Sequence, residues 1–184
     1  MTRERARKAR VVSLRMERYL CEYACSKYEI DRTTGAVKFP AGGDLSILVW
    51  DWMRPGSQKT KAAIDSVHMT EDDGQLKILL PERKYSFFGG TRKHPEYWNH
   101  LPKEGCDEIR ALLKLHFNFV FHHWMLTKIE RGEKQQICQL ADEFRKSYRM
   151  EHITVDALVK NFYRYRLKQF PQQIRKKIRK KQQI

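Results

Sequence analysis

The amino-acid sequence predicts a mainly α fold of the α+β class, a helical bundle with a small β element near the N-terminus. Two observations favour helices. Apolar residues recur every three or four positions between Asp107 and Arg131, and again between Glu133 and Tyr148. A third observation favours a strand, because apolar and polar residues alternate from Val11 to Met16. With 184 residues, 41% of them hydrophobic, the chain can build one domain or two small lobes.

Residues 1–80 are predicted to form an N-terminal α/β lobe. Turn residues separate its elements, and Asp44 is placed to cap its second helix, which Pro55 ends. In chain order we expect a strand at Val11–Met16, a helix at Glu17–Lys27, a short strand at Ala36–Phe39, a helix at Leu45–Met53 and a strand at Gln75–Leu80.

The order strand, helix, helix in the first fifty residues resembles the outline of a ribbon-helix-helix protein. In that family the strand pairs across a dimer, and its outward residues enter the major groove. The resemblance implies that Val11, Ser13 and Arg15 would be the outward set. The chain departs from the family pattern between the helices, where a longer segment with its own Pro and Gly-Gly intervenes. The alternative is an ordinary strand packed on a helix.

Residues 81–106 are predicted to form a long loop that mixes basic and aromatic side chains. Such a mixture suits single-stranded nucleic acid, whose bases stack on rings while cations hold the phosphates. The favoured interpretation is that the rings attach the loop to the core. The basic residues are Arg83, Lys84, Arg92, Lys93 and His94, and the aromatic residues include Tyr85, Phe87, Phe88, Tyr97 and Trp98.

The helix from Asp107 to about Arg131 is predicted to be the central one. It carries one wide apolar stripe, and Phe119, Phe121 and Met125 lie off that stripe. We therefore expect this helix to be buried on more than one side.

Histidines and cysteines are predicted to be structural and not metal ligands. His116, His122 and His123 share the central helix without a carboxylate or cysteine at ligand spacing, so we interpret them as core or flanking residues. The cysteines form one close pair and no second, and we expect them to be reduced, small core residues. They are Cys21, Cys25, Cys106 and Cys138. No cofactor motif is present, so no metal or cofactor is expected.

Residues 107–170 are predicted to form a helical DNA-binding unit. The amphipathic helix at Glu133–Tyr148 is followed by a six-residue link, and Thr154 is placed to cap the last helix. At 100° per residue from Val155, Lys160, Arg164 and Lys168 fall at about 140°, 180° and 220°, opposite the apolar face, and Asn161 flanks that stripe. Arg166 falls on the apolar side, where it is expected to lie beyond the packed region or to pair with an acid.

The segment LADEFRKSY…ITVDALVKNFYRYR resembles a phage-type helix-turn-helix. Asn161 suits adenine and Arg164 suits guanine, while Lys160 and Lys168 suit phosphate. The resemblance implies a DNA-binding regulatory or accessory protein of a phage or bacterial mobile element.

The chain carries a formal net charge of +15 that concentrates at its two ends. Residues 154–184 hold ten Lys or Arg and a single acidic residue, Asp156. Residues 171–184 form a basic tail that we expect to follow the phosphate backbone. Its predicted contact residues are Arg175, Lys176, Lys177, Arg179, Lys180 and Lys181.

Double-stranded DNA is therefore the partner that the sequence favours. The chain has no long apolar run and no signal peptide, so we expect a cytoplasmic protein without a membrane partner, and a homodimer stays open. The alternatives are a binder of single-stranded nucleic acid or RNA, and a structural or assembly protein with a basic tail.

Catalysis is not expected, because the chain has no Gly-rich phosphate loop, serine elbow or HExxH motif. Asp65 followed by Gln75 and Lys77 loosely resembles the pattern of metal-dependent nucleases. Gln75 stands where that pattern has a second acid, which would weaken Mg²⁺ binding.

Overall fold

The computed structural model describes residues 11–56, 73–81, 93, 97–131 and 136–169. The fold is mainly α with a small sheet near the N-terminus, as the sequence predicts. The described residues form four strands and five helices. The strands are β1 (Val11–Glu17), β2 (Glu29–Ile30), β3 (Val37–Lys38) and β4 (Asp73–Leu79), and the helices are α1 (Arg18–Lys27), α2 (Asp44–Trp52), α3 (Lys103–Glu130), α4 (Ile137–Ser147) and α5 (Val155–Gln169).

The chain divides into two compact units, Met1–His116 and Phe117–Ile184. The boundary falls inside α3, so this helix contributes its first half to unit 1 and its second half to unit 2.

The sheet of unit 1 has the strand order β1-β4-β3-β2. Strand β1 pairs antiparallel with β4 along its whole length, from Val11 opposite Leu79 to Glu17 opposite Asp73. The predicted alternation in β1 is confirmed, because Leu14 and Met16 are each only 1% exposed. Helix α1 lies against β1 and β4, which buries one face of the sheet.

The element order of unit 1 differs from that of a ribbon-helix-helix protein. The hairpin of β2 and β3 stands between α1 and α2, and β1 has its partner strand within the same chain. The side chains of Val11, Ser13 and Arg15 are half-buried, whereas the resemblance implied an outward-facing set. The structure therefore agrees with the alternative of a strand packed on a helix.

Helix α3 begins at Lys103, four residues before the predicted start at Asp107. The Cys106 amide donates to the carbonyl of Pro102 at 3.0 Å, so the segment around Gly105 is already helical. A Cβ placed on Gly105 would lie 2.6 Å from Cγ of Trp52. Glycine disfavours a helix in sequence-based prediction. At this position it has no side chain, so the Trp52 ring can pack against α3.

The burial of α3 follows an i,i+4 row and only partly matches the prediction. Phe121 and Met125 are fully buried, as expected, but Phe119 is 71% exposed. Successive steps of four residues advance by about 40° around a helix, so the buried row turns away from Phe119. The expectation that α3 is buried around Phe119 as well was wrong.

Unit 2 consists of the second half of α3 together with α4 and α5. Its core is an aromatic cluster with one phenylalanine from each helix at the centre. The ring centroids of Phe121 and Phe144 are 4.9 Å apart, and those of Phe121 and Phe162 are 6.3 Å apart. All three rings are fully buried. Helix α4 begins at Ile137, after the predicted start at Glu133, which lies outside the described residues.

We predict that Gly105→Ala destabilises the protein by about 1–3 kcal/mol, because the new methyl group meets the Trp52 ring. Helix propensity alone predicts the opposite sign, a gain of about 1 kcal/mol for alanine in a helix. Thermal and urea unfolding would measure the change, with Arg110→Ala on the exposed side of α3 as the control. A variant as stable as the parent would show that Trp52 does not rest on Gly105.

Candidate nucleic-acid interface

Helix α5 is held by a cap and by two buried residues. The hydroxyl of Thr154 accepts a hydrogen bond from the Ala157 amide at 3.2 Å, which confirms the predicted N-cap. Leu158 and Phe162 are fully buried in unit 2. They lie one turn apart, so the core contacts α5 on one side and leaves the opposite side open.

The open side of α5 carries the predicted basic row. Lys160, Arg164 and Lys168 are all exposed and lie one turn apart. The Lys160 ammonium is 2.6 Å from a carboxylate oxygen of Asp156, one turn earlier. Arg164 and Lys168 form no ion pair or hydrogen bond with any residue that the structure describes. Two cations of the row are therefore available to a polyanion, and the third is shared with an acid.

Asn161 lies at the edge of the packed face, and its side-chain amide is bonded within unit 2. Its Oδ1 is 2.6 Å from Nε2 of His122, and its Nδ2 donates to Oδ1 of Asn118 at 2.9 Å. Asn118 and His122 stand one turn apart on α3. The amide that was predicted to pair with adenine thus connects α5 to α3.

His122 is half-buried beside Asn161 and Tyr165. Its ring stacks on Tyr165 with centroids 4.0 Å apart and planes 16° from parallel. Burial lowers the pKa of His122 below its ordinary value, while the hydrogen bond with Asn161 acts in the opposite direction. A neutral ring donates through Nε2 to Oδ1 of Asn161, which in turn leaves its Nδ2 to donate to Asn118.

The connection from α4 to α5 runs from Tyr148 to Thr154. Its first residues form a Schellman motif, in which Met150 donates to the carbonyl of Arg145 at 2.9 Å and Arg149 donates to that of Lys146 at 3.0 Å. Arg149 has a φ of 51°, in the left-handed region, and Met150 is 2% exposed. The link is one residue longer than the predicted six, because α4 ends at Ser147.

The two cations at the end of α4 share one carboxylate within the helix. Asp142 lies 3.0 Å from the Arg145 guanidinium and 2.7 Å from the Lys146 ammonium. These hydrogen bonds, first Lys146 and then Arg145, hold the pKa of Asp142 below its ordinary value. Among the described residues at this end of unit 2, the cations that no acid contacts therefore lie in the turn and on α5.

The sequence reasoning missed three exposed residues beside the basic row. Tyr163 is 47% exposed and Leu167 is 53% exposed, and Ala157 is exposed in the first turn of α5. The same helical wheel that placed Lys160 and Arg164 puts them on the open side, so the signal was present. Apolar groups on such a face suit the methyl group of thymine.

Arg166 is the exception that the sequence indicated. Its guanidinium lies over the Phe162 ring, 5.8 Å from the centroid. The side chain therefore covers the edge of the core by a cation–π contact and has no described acidic partner. The predicted contacts in the tail, from Arg175 to Lys181, lie outside the described residues.

The described part of the loop 81–106 is attached to unit 1. The Lys93 ammonium donates to the backbone carbonyls of Trp50 and Asp51, at 2.7 and 3.0 Å, at the C-terminal end of α2. It also lies 5.4 Å from the centroid of the Trp98 ring, and burial lowers its pKa. These contacts agree with the interpretation that the loop packs on the core. Tyr85, Phe87 and Phe88 lie outside the described residues.

A second polar cluster in unit 1 connects three elements. Nε2 of His116 is 2.7 Å from Asp44, and its Nδ1 is 3.3 Å from the hydroxyl of Tyr28. An acid, a histidine and a hydroxyl in line resemble the order of a catalytic triad. Burial raises the pKa of Tyr28 to about 12, so its hydroxyl stays protonated at neutral pH. The cluster connects α3 to α2 and to the residue that joins α1 to β2.

The residues considered for metal or thiol chemistry are dispersed. In the part of the chain that the structure describes, no three His, Cys, Asp or Glu side chains stand close enough to hold a metal ion. Gln75 and Lys77 are exposed on β4, and Asp65 lies outside the described residues.

All four cysteines are described, and none forms a disulfide. Cys25 and Cys138 are exposed, so the expectation of buried core cysteines was wrong for these two.

Comparison of the chain with protein-family models, with curated proteins and with solved structures finds no significant match. Among the described helices, none combines the length and the apolar character that crossing a bilayer requires.

We predict that His122 makes unit 2 less stable in acid. Its folded pKa lies below the unfolded value of about 6.5, so the unfolded chain takes up the proton first as the pH falls. The stabilisation is present above that unfolded value and is lost as the pH falls through the folded pKa. Between pH 7 and 5, the melting temperature should therefore fall further in the parent than in His122→Gln.

Calorimetry across that pH range makes this comparison. His123→Gln changes an exposed histidine one residue away and is the matched control. Identical pH profiles for the parent and His122→Gln would contradict the assignment.

Proposed function

We propose that the open side of α5 binds duplex DNA in the major groove, and that the protein is a non-catalytic regulatory or accessory factor of a phage or bacterial mobile element. The observation that carries this proposal is the exposed row of Lys160, Arg164 and Lys168 on a helix whose other side is buried. Nine residues of helix from Lys160 to Lys168 span about 12 Å. The major groove is about 12 Å wide and admits an α-helix, so the row can lie along the groove.

The arrangement of unit 2 supports the proposal in two further ways. Helix α4, a turn and α5 follow one another as in a helix-turn-helix, and the aromatic cluster below them fixes α5 from one side only. In this proposal Arg164 and Lys168 contact bases or phosphates, while Asn161 positions α5 by its bonds to Asn118 and His122. The basic tail would add phosphate contacts beyond the helix. The homodimer stays a prediction.

The first experiment is binding of the full chain to mixed-sequence duplex DNA, duplex RNA and single-stranded DNA by fluorescence anisotropy in a salt series. Preference for duplex DNA with a steep fall of log K against log salt is the expected result. Preference for a single strand would instead favour the alternative that the protein binds single-stranded nucleic acid through the aromatic loop. Equal, weak binding to all three would indicate a packaging or assembly role, and no binding at low salt would refute the proposal.

We predict that the double variant Arg164→Ala/Lys168→Ala lowers the affinity for duplex DNA by about 10–100-fold and the salt slope by about 2, because two phosphate or base contacts are lost. The melting temperature should stay near that of the parent, since both side chains are exposed and unpaired. The matched control is Lys27→Ala/Lys38→Ala, which removes two exposed cations from unit 1. Equal losses in the two double variants would mean that only total charge matters.

We predict that Asp156→Asn raises the affinity by about 3–10-fold, because one repulsive charge is lost and Lys160 is released to bind phosphate. The carboxylate is 72% exposed and lies 2.6 Å from the Lys160 ammonium. Glu151→Gln removes an exposed acid from the preceding link and serves as the control for net charge. Affinity that is unchanged in Asp156→Asn would place Lys160 away from the bound DNA. The measurement is the same anisotropy titration.

A further inference from the structure

The turn between α4 and α5 holds an arginine in a conformation that favours glycine. Arg149 has a φ of 51°. Left-handed backbone conformation is costly for a residue with a Cβ, and glycine is the usual residue at this position of a Schellman motif. Glycine at this position would therefore make the folded protein more stable than arginine does.

The conformation of Arg149 is fixed from both sides. Its own amide and that of Met150 make the two hydrogen bonds of the motif, at 3.0 and 2.9 Å. The Met150 side chain is 2% exposed, so the chain is held to the core directly after the turn. Relaxation of Arg149 to an ordinary φ would break these bonds and withdraw Met150.

The side chain of Arg149 is exposed and has no partner among the described residues. Its two basic neighbours along the chain, Arg145 and Lys146, are both paired with Asp142. Arg149 is therefore the cation that stays free between the end of α4 and the start of α5 in the described chain. It precedes the helix that presents Arg164 and Lys168.

We propose that the Arg149 guanidinium binds a backbone phosphate of the nucleic acid on which α5 lies. This inference rests on the proposed function of α5. A guanidinium presents a planar fork of N–H groups that matches two phosphate oxygens, and phosphate contacts fix the register of a protein on the duplex. The turn fixes the backbone of Arg149, and with it the point from which this side chain leaves the chain, next to the start of α5.

The test is Arg149→Gly in the full chain, because it separates binding from stability. Glycine accepts the left-handed backbone without strain, so the melting temperature should rise by about 2–4 °C. The affinity for duplex DNA should fall about 5–10-fold, and the salt slope should fall by about 1, because one phosphate contact is lost. A purely structural residue would not weaken binding while the fold becomes more stable.

Two further variants keep the result interpretable. Arg149→Asn also tolerates the left-handed region and removes the charge, so it should reproduce the loss of affinity. Arg149→Lys keeps the charge but not the planar fork, so it should keep the salt slope and lose part of the affinity.

The outcomes separate this inference from the proposed function. Unchanged affinity and salt slope in Arg149→Gly and Arg149→Asn, with the expected loss in Arg164→Ala/Lys168→Ala, would overturn the role of Arg149 alone. Absence of binding by the parent chain would overturn both. Loss of affinity in all three charge-removing variants, with Arg149→Gly more stable than the parent, supports both.

Discussion

The contact of the Phe121, Phe144 and Phe162 rings is the interaction on which unit 2 depends, since it takes one ring from each of three helices. The second half of α3, α4 and α5 meet there. In the described part of unit 2, no other ring is as deeply enclosed apart from Phe117 beside them. Burial of large aromatic side chains contributes most to a small core. A core of this kind holds each helix on one side and leaves the opposite side of α5 for charge.

Charge on that surface is divided between pairs within the protein and cations without a partner. Asp142 holds Arg145 and Lys146, and Asp156 holds Lys160. Exposed ion pairs add little to stability, so their main effect is on the potential that a polyanion meets. The acids reduce the attraction near α4 and the first turn of α5. Arg149, Arg164 and Lys168 are left as the places where a phosphate or base would be favoured.

The periodic pattern of the sequence was sufficient for the five helices, for three of the four described strands and for the open face of α5, because burial along a helix depends on positions three and four residues apart. It did not predict β2, which has only two residues. The pattern was insufficient for features that depend on residues far away in the sequence. The start of α3 at Lys103 depends on Trp52, which needs the space above Gly105. The bonds of Asn161 depend on Asn118 and His122, about forty residues earlier. The left-handed turn at Arg149 leaves no trace in the sequence, since no glycine marks it.

The bonded set of Asn118, Asn161 and His122 has a consequence for how α5 can sit in unit 2. An aromatic cluster is tolerant of small rotations, because rings make similar contacts at neighbouring angles. Hydrogen bonds between partly buried amides and an imidazole are satisfied at one rotation only, and leaving them unmade costs about 1–3 kcal/mol for each group. A rotation of α5 by one residue would separate all three. These three residues therefore allow only one rotation of α5 about its own axis. That rotation determines the direction in which the outer side chains of α5 point.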